Sequence, residues 1–410
     1  MLIFKIAARN IWRRKFRTII TMTAIGISFS MLLFFEQLHL GQHEMMANSG
    51  MRLSAGNIVI QGKGFNQNRE LSSRVRNPDK HIEVLKKNFN SLHIIKRIFT
   101  SGNLTSPDGN IVVDTINGTE HAQEGKISDL KPKLIAGKWL SGNAGEIVIG
   151  AVAAKLLKVE IDSKVQLSMP DLGGNVVRTA LRVRGIFKTG STDTDRGYAL
   201  VNIDEAAKLL NLGNAVSQIA IFTDLEKSTQ VTHQIRKLID DPSLEIMDWK
   251  DALPTLSQFM LVDKISMYVF LIIIFIIVAA GVLNSVLMSV MERTREFGVL
   301  KSIGMKPTSI LNLIIIESAL VGLLSIVFGF IVGQTISYIV YRYGIDPASL
   351  FGGESVEVAG VSMTEKIRTK ITLWSVVWTS ASVLLLTIIS AIPPALRAAR
   401  IIPVKAVREL

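Results

Sequence analysis

Apolar positions are bunched along this chain. Four stretches, at 18–40, 265–291, 309–341 and 371–396, are dominated by Ile, Leu, Val, Phe and Ala and are almost free of charge. Each supplies the roughly 20 apolar residues with which a helix crosses a hydrocarbon core about 30 Å thick. The second, bounded by Lys264 and Glu292, would be about 40 Å long as a helix, so its surplus is expected to tilt or to project as a stalk on the aqueous side. Small and hydroxyl residues let membrane helices approach one another. The first stretch has such a side in Thr21, Thr23, Gly26, Ser28 and Ser30, and the third has a GxxxG step at Gly329 and Gly333.

Between the first two stretches, 41–262, the period changes. Short runs at 57–61, 93–99, 111–115, 146–149, 165–168, 176–187, 198–201, 218–222 and 244–247 read as strands. Those at 79–89, 151–157, 203–210 and 225–240 read as helices, the last with Val231, Ile235 and Leu238 on one face. The two ends share a strand–helix–strand pattern. They are expected to pair into a small α+β layer that brings the domain termini together, with about 100–215 as an inserted β-rich subdomain. Asp171-Leu-Gly-Gly-Asn175 supplies a hairpin turn. The fold class expected is a membrane protein: four transmembrane helices with a large α+β extracytoplasmic domain between the first and second.

The 410 residues are 48% hydrophobic and 20% charged, too apolar for an ordinary soluble enzyme and too charged for a bare helix bundle. The net charge of +12 does not point to nucleic acid, because much of the basic charge borders the apolar stretches and sets topology there. Residues 1–17 carry Lys5, Arg9, Arg13, Arg14, Lys15 and Arg17 without an acid, interleaved with Ile3, Phe4, Ile6, Ala7, Ile11 and Trp12. That is the pattern of a basic amphipathic helix on the cytoplasmic face, or of a plain positive-inside flank. Either puts the N-terminus inside. Four crossings then place 41–262 and the loop 342–370 outside, and 292–308 and the tail 397–410 inside, both net basic. The apolar run after Arg17 is longer than a signal-peptide core and lacks a cleavage site, so it is expected to stay as a span. Without cysteine there is no disulfide, thiolate zinc site or iron–sulfur cluster.

Catalysis is not expected, and no catalytic residue, cofactor or metal site is assigned. Gly185-Ile-Phe-Lys-Thr-Gly190-Ser-Thr192 comes nearest to a nucleotide-binding loop, but lacks the Lys after its second Gly. His39 and His43 have metal-ligand spacing beside Glu36 and Glu44; the plainer reading is a solvated extension of the first span. Glu317 lies about two turns into the third stretch, as an intramembrane functional group or as a carboxylate bonded to Thr or Ser of a neighbouring span. The segment 291–310, MERTREFGVLKSIGMKPTSI, is charged and Gly-punctuated between two apolar stretches. Its start can continue the second span, and Gly298, Gly304 and Pro307 allow turns and a short helix parallel to the membrane. Charges at Glu292, Arg293, Arg295, Glu296 and Lys301 leave Phe297, Val299 and Leu300 as an apolar docking face; the alternative is an ordinary solvated loop.

MERTREFGVLKSIGM followed by a span resembles the coupling segment of ABC-transporter permeases of the MacB, FtsX and LolC/LolE superfamily. Gly137-Lys-Trp-Leu140, Gly145-Glu-Ile-Val-Ile-Gly150, 153–157, 165–167 and 198–202 are similar to the core of that family's periplasmic domain. The tail 394–408, PALRAARIIPVKAVR, resembles the family ending A-x-R-A-x-x-x-x-P-x-x-A-L-R, with Val407 in place of Leu. The resemblance implies a bacterial inner-membrane protein with both termini cytoplasmic and 41–262 periplasmic. It implies a second permease, the same or similar, and a separate ABC ATPase dimer that binds ATP and Mg; no cofactor is expected on this chain. The motor would press on Glu292, Arg293, Arg295, Glu296, Phe297, Gly298, Lys301, Gly304 and Met305. The layout is most like LolC/LolE, which extract lipoproteins, since MacB carries its ATPase on the same chain and FtsX proteins are smaller outside. The hairpin arm that docks a periplasmic carrier is short here, at 169–178. Efflux of peptides, antibiotics or other amphiphiles, through an adaptor, is the alternative, and FtsX-like control of a cell-wall hydrolase the second. Thr21, Ser28, Phe29, Phe34 and Phe35 are expected to line a membrane cavity.

Overall fold

The computed structural model describes residues 2–13, 15–89, 92–346, 357–358, 361–362 and 366–402. Arg14, most of the expected loop 342–370 with Pro347, Gly352 and Gly353, and the tail from 403 lie outside the described residues. The chain forms two compact units. Met1–His43, Val262–Ile345 and Ile367–Leu410 make a membrane unit, and Glu44–Leu261 with Asp346–Lys366 make a water-facing one.

In the membrane unit, the amphipathic helix Leu2–Arg13 precedes four helices long and apolar enough to cross a bilayer. These are the first span, Lys15–Leu53, the second, Pro254–Glu292, the third, Pro307–Tyr343, and the fourth, Leu373–Ala399. The first two run 39 residues each, about 58 Å at 1.5 Å per residue, well beyond a core of about 30 Å. The expected boundary at residue 40 is therefore not a helix end. Ile25, Phe29, Leu32 and Leu33 of the first span pack with Val278, Val282 and Val383 of the second and fourth. The GxxxG step lies against the small side of the first span. A Cβ on Gly329 would sit 2.2 Å from the Gly26 carbonyl oxygen, and one on Gly333 would sit 3.0 Å from Ser30. Only hydrogen fits at Gly329, so backbones meet there. Phe29, expected to line a cavity, is fully buried at this crossing and belongs to the helix core.

The water-facing unit holds β1 (Ile58–Gly62), β2 (His93–Ser106), β3 (Gly109–Thr119), β4 (Leu134–Gly137), β5 (Glu146–Gly150), β6 (Lys164–Pro170), β7 (Val176–Phe187), β8 (Tyr198–Asn202), β9 (Gln218–Phe222) and β10 (Leu244–Asp248). They form one ten-stranded sheet in the order β10-β1-β9-β2-β3-β8-β5-β7-β4, with β6 against β2 and β7. The two strand–helix–strand ends do pair, through β1 between β9 and β10 and β9 beside β2. The middle of the domain is not a separate layer. β2 runs past Phe99 to Ser106, its first half pairing β9 and its second half β6, with β3 alongside both. Thr100-Ser-Gly-Asn103 has the composition of a loop, but a bulge there keeps the strand going. Gly102 allows it, since a Cβ would sit 2.5 Å from the Ser168 carbonyl oxygen. The helices Pro78–Asn88 and Ser228–Leu238 bury Leu85 and Ile235 in the core formed by Ile58, Ile60, Ile98, Ile219 and Ile221.

Candidate coupling site

After the second span, the backbone turns at Arg293 and resumes as a short helix, Thr294–Ser302. A Schellman cap ends that helix. The Met305 N–H donates to the Leu300 carbonyl and the Gly304 N–H to that of Lys301, both at 3.0 Å, with Gly304 at φ +99°. Leu300 and Met305 complete the cap by packing on one apolar cluster. Pro307 then starts the third span, where its missing N–H costs nothing.

The short helix is fastened on three sides. Arg293 donates through Nη1 to both Glu317 oxygens, at 3.1 and 2.9 Å, and through Nε to Glu296 at 3.1 Å. Its guanidinium also lies 5.0 Å from the centroid of the Phe297 ring. Phe297 is fully buried among Ala7, Val290, Ile310, Leu313, Ile314, Ala395 and Ala398, which come from every neighbouring element. Lys301 Nζ donates to the carbonyls of Ala399 and Ile401, at 3.0 and 2.7 Å, capping the fourth span with a cation where its dipole is negative. On the N-terminal side, Arg17 pairs with Glu292 and Arg13 reaches Glu296.

Glu317 is thus bonded to an arginine of this segment, not to a Thr or Ser of another span. Of the expected docking face, Phe297 and Leu300 pack inward, and Gly298 is buried beside Phe297; Lys301 is turned to the end of the fourth span. The amphipathic period was legible, but its apolar side packs on the body of the protein. What remains outward is Arg295, with Val299 at 43% exposure and Ile303 at 78%. Beside Arg293 and Glu317 lies a cavity of about 80 Å³, with Arg17, Thr21, Ser285 and Ser289 among otherwise apolar walls. Thr21 bonds Ser285 across the first and second spans at 2.6 Å. Ser28 bonds its own helix at Ala24 and is exposed, and Phe35 stacks edge-on against Phe270; neither lines this cavity.

A second junction lies in the water-facing unit, where the first-span helix ends at Leu53. Such an end leaves carbonyls without intrahelical partners. Here Arg97 donates to the carbonyls of Ser54 (2.6 Å) and Arg52 (2.8 Å), Tyr198 to that of Leu53 (3.1 Å), and Gln218 to that of Ser54 (2.6 Å). Arg97 is completely buried and bidentate on Glu124, at 2.9 and 2.7 Å, and Thr119 adds a bond to the same carboxylate. Burial pushes the Tyr198 hydroxyl well above its ordinary pKa, which keeps it a neutral donor. The sequence reading missed this joint. The signal was there in β2, where alternation puts Arg97 on the inward side with Ile95 and Phe99.

Residues 268–403, from the second span through the fourth, match the FtsX-like permease C-terminal family. The lipoprotein-releasing system transmembrane protein LolC of Xylella fastidiosa (strain 9a5c) is 25% identical over 293 residues, 70% of each chain. This chain carries an FtsX-like permease domain. The ABC transporter permease YtrF of Bacillus subtilis (strain 168) is 33% identical to the permease over 129 residues, 31% of it and 29% of YtrF. Among solved structures, the periplasmic region of MacB from Actinobacillus actinomycetemcomitans covers 50% of the permease and 94% of its own chain, at 14% identity and a TM-score of 0.35. The permease has the fold class expected of it, four candidate transmembrane helices with a β-rich domain between the first and second.

Proposed function

We propose that this permease is the non-catalytic membrane subunit of an ATP-driven transporter in a bacterial inner membrane. A separate ABC ATPase dimer, binding ATP and Mg, presses on the helix Thr294–Ser302, and a second permease completes the pair. Both termini are cytoplasmic and 41–262 is periplasmic. The cargo is a lipoprotein or another lipid-anchored molecule drawn from the membrane.

The observation that carries this reading is the fastening of the short helix. A push on a loose loop is lost in local motion. Here the push meets a helix tied to the third span by Arg293 and Glu317 and to the fourth by Lys301. The outward Arg295, Val299 and Ile303 offer the motor a small mixed surface. The cargo rests on a coarser support, the likeness to LolC over 70% of each chain. The hairpin between β6 and β7 turns tightly at 171–175, with Asp171 Oδ1 accepting from the N–H groups of Gly173 and Asn175 at 2.9 and 2.8 Å. Such a turn has no length with which to hook a carrier, and this favours a second reading, amphiphile efflux through an adaptor.

Purification from native membranes, with mass spectrometry of bound proteins and lipid-linked cargo, tests both. An ABC ATPase with a second permease and lipoproteins supports the first. An ATPase with an adaptor and an outer-membrane channel supports the second. No ATPase under gentle extraction contradicts the reading as a whole.

A further inference from the structure

At the ends of the first two spans remote from Arg17 and Glu292, one carboxylate meets two imidazoles. His39 and His43 are four residues apart, so a helical turn sets their rings on one face, 4.2 Å between centroids. Both Nε2 atoms converge on the same atom, Oδ2 of Asp263, at 3.0 and 2.8 Å. The three side chains are half-buried, and their donor atoms lie within 4.8 Å of one another. Lys264, the adjacent cation, lies over the Tyr268 ring at 5.9 Å.

One imidazole on a carboxylate is a common helix–helix clasp. Two on a single oxygen is a different arrangement, with two ring nitrogens side by side and aimed at one point. With each imidazole carrying its proton on Nδ1, a metal dication there would take the place of the two hydrogen bonds and bind both Nε2 atoms and the carboxylate at once. Tetrahedral zinc, with bonds of about 2.0–2.1 Å, holds its ligand atoms about 3.3 Å apart. The present separations of 3.0 and 2.8 Å need to open by only a few tenths of an ångström. Two imidazoles with one carboxylate select a borderline transition metal over Mg²⁺ or Ca²⁺, which take oxygen ligands.

We propose that His39, His43 and Asp263 form a binding site for a transition-metal dication of the Zn²⁺ class, with a fourth position left to water. The site joins the first span to the second, and a bound metal clamps them together. It stands independently of the cargo and of the motor.

The test uses the full-length chain in detergent micelles, purified without a histidine tag and titrated with Co²⁺ alone. One Co²⁺ per chain, with the visible bands of four-coordinate cobalt bleached by Zn²⁺, is expected. His39→Gln and His43→Gln should each weaken binding at least ~10-fold, the loss usual even for disturbing a ligand's support. His233→Ala, at an exposed position on another helix, should leave binding unchanged. Thermal unfolding gives a second readout, in which Zn²⁺ stabilises the wild type and neither glutamine variant. Asp263→Asn replaces a glutamine variant that does not fold, and the same weakening is expected of it. Absence of cobalt bands in the wild type, or binding that survives in the ligand variants, overturns the site.

Discussion

Two arginines in this permease each hold a glutamate, and they do different work. Arg97 and Glu124 are sealed inside the water-facing unit, at 0% and 2% side-chain exposure, and every donor of the pair is directed at the end of the first-span helix or at the carboxylate. Arg293 and Glu317 keep 10% and 19% exposure, share their charge with Glu296, and border a cavity. A buried, fully satisfied pair has one low-energy geometry, because any shift strands a charge away from water. A shared pair beside a cavity has alternatives, since the cation can lean toward either carboxylate. The first is therefore a fixed joint between helix and sheet. The second can shift between Glu296 and Glu317 without leaving the cation unpaired.

Single substitutions and one exchange press on that contrast. Arg97→Ala strands Glu124 and the Arg52 carbonyl and removes one of the two donors from that of Ser54, and is expected to destabilise the water-facing unit by about 3–5 kcal/mol. Denaturant unfolding of a full-length variant whose other tryptophans are replaced by Phe, followed by the fluorescence of Trp139 and Trp249, measures it; an unfolding curve unchanged by Arg97→Ala would erase the difference between the joints. Next comes Gly329→Val, where added methyl groups meet the Gly26 carbonyl oxygen, at an overpacking cost of about 1–3 kcal/mol. Thermal unfolding in micelles should show a clear loss for it and a smaller one for Gly333→Ala. Glu317→Gln leaves Arg293 paired with Glu296 and should cost about 1 kcal/mol, less than Arg97→Ala, while lowering coupled transport. The exchange Arg293→Glu with Glu317→Arg should restore part of that transport; unchanged transport in Glu317→Gln removes the residue from the mechanism. Smallest in stability, within about 0.5 kcal/mol, is Ile303→Asp, on an outward position. It should nonetheless reduce the ATPase that co-purifies, which quantitative immunoblotting reads directly.

The legible parts of the chain were those written locally. Span-length apolar runs announced four membrane helices, and Gly304 and Pro307 announced the turn between coupling helix and third span, because a left-handed cap and a first-turn proline are requirements of the backbone itself. Gly329 and Gly333 were legible for the same reason. What stayed hidden depends on long-range pairing. Glu317 was recognised as unusual, but its partner lies 24 residues away across a turn whose geometry the sequence does not fix. Phe297 and Leu300 pack inward although the pattern put them on a docking face, because amphipathicity gives a period and not a direction. The continuity of β2 through Thr100-Ser-Gly-Asn103 rests on ladder bonds to β3 and β6, which outweigh the loop-like composition of that stretch.

The central claim is that the helix Thr294–Ser302 is where a motor delivers its push. The chain has no native cysteine, so Ile303→Cys places a single thiol at the most exposed apolar position of the segment. Crosslinking of that thiol in native membranes, followed by purification and mass spectrometry, tests the claim most directly. A covalent product with an ABC ATPase is expected, its yield changing when ATP is added. A thiol that reacts freely with small reagents and yields no ATPase product would contradict it.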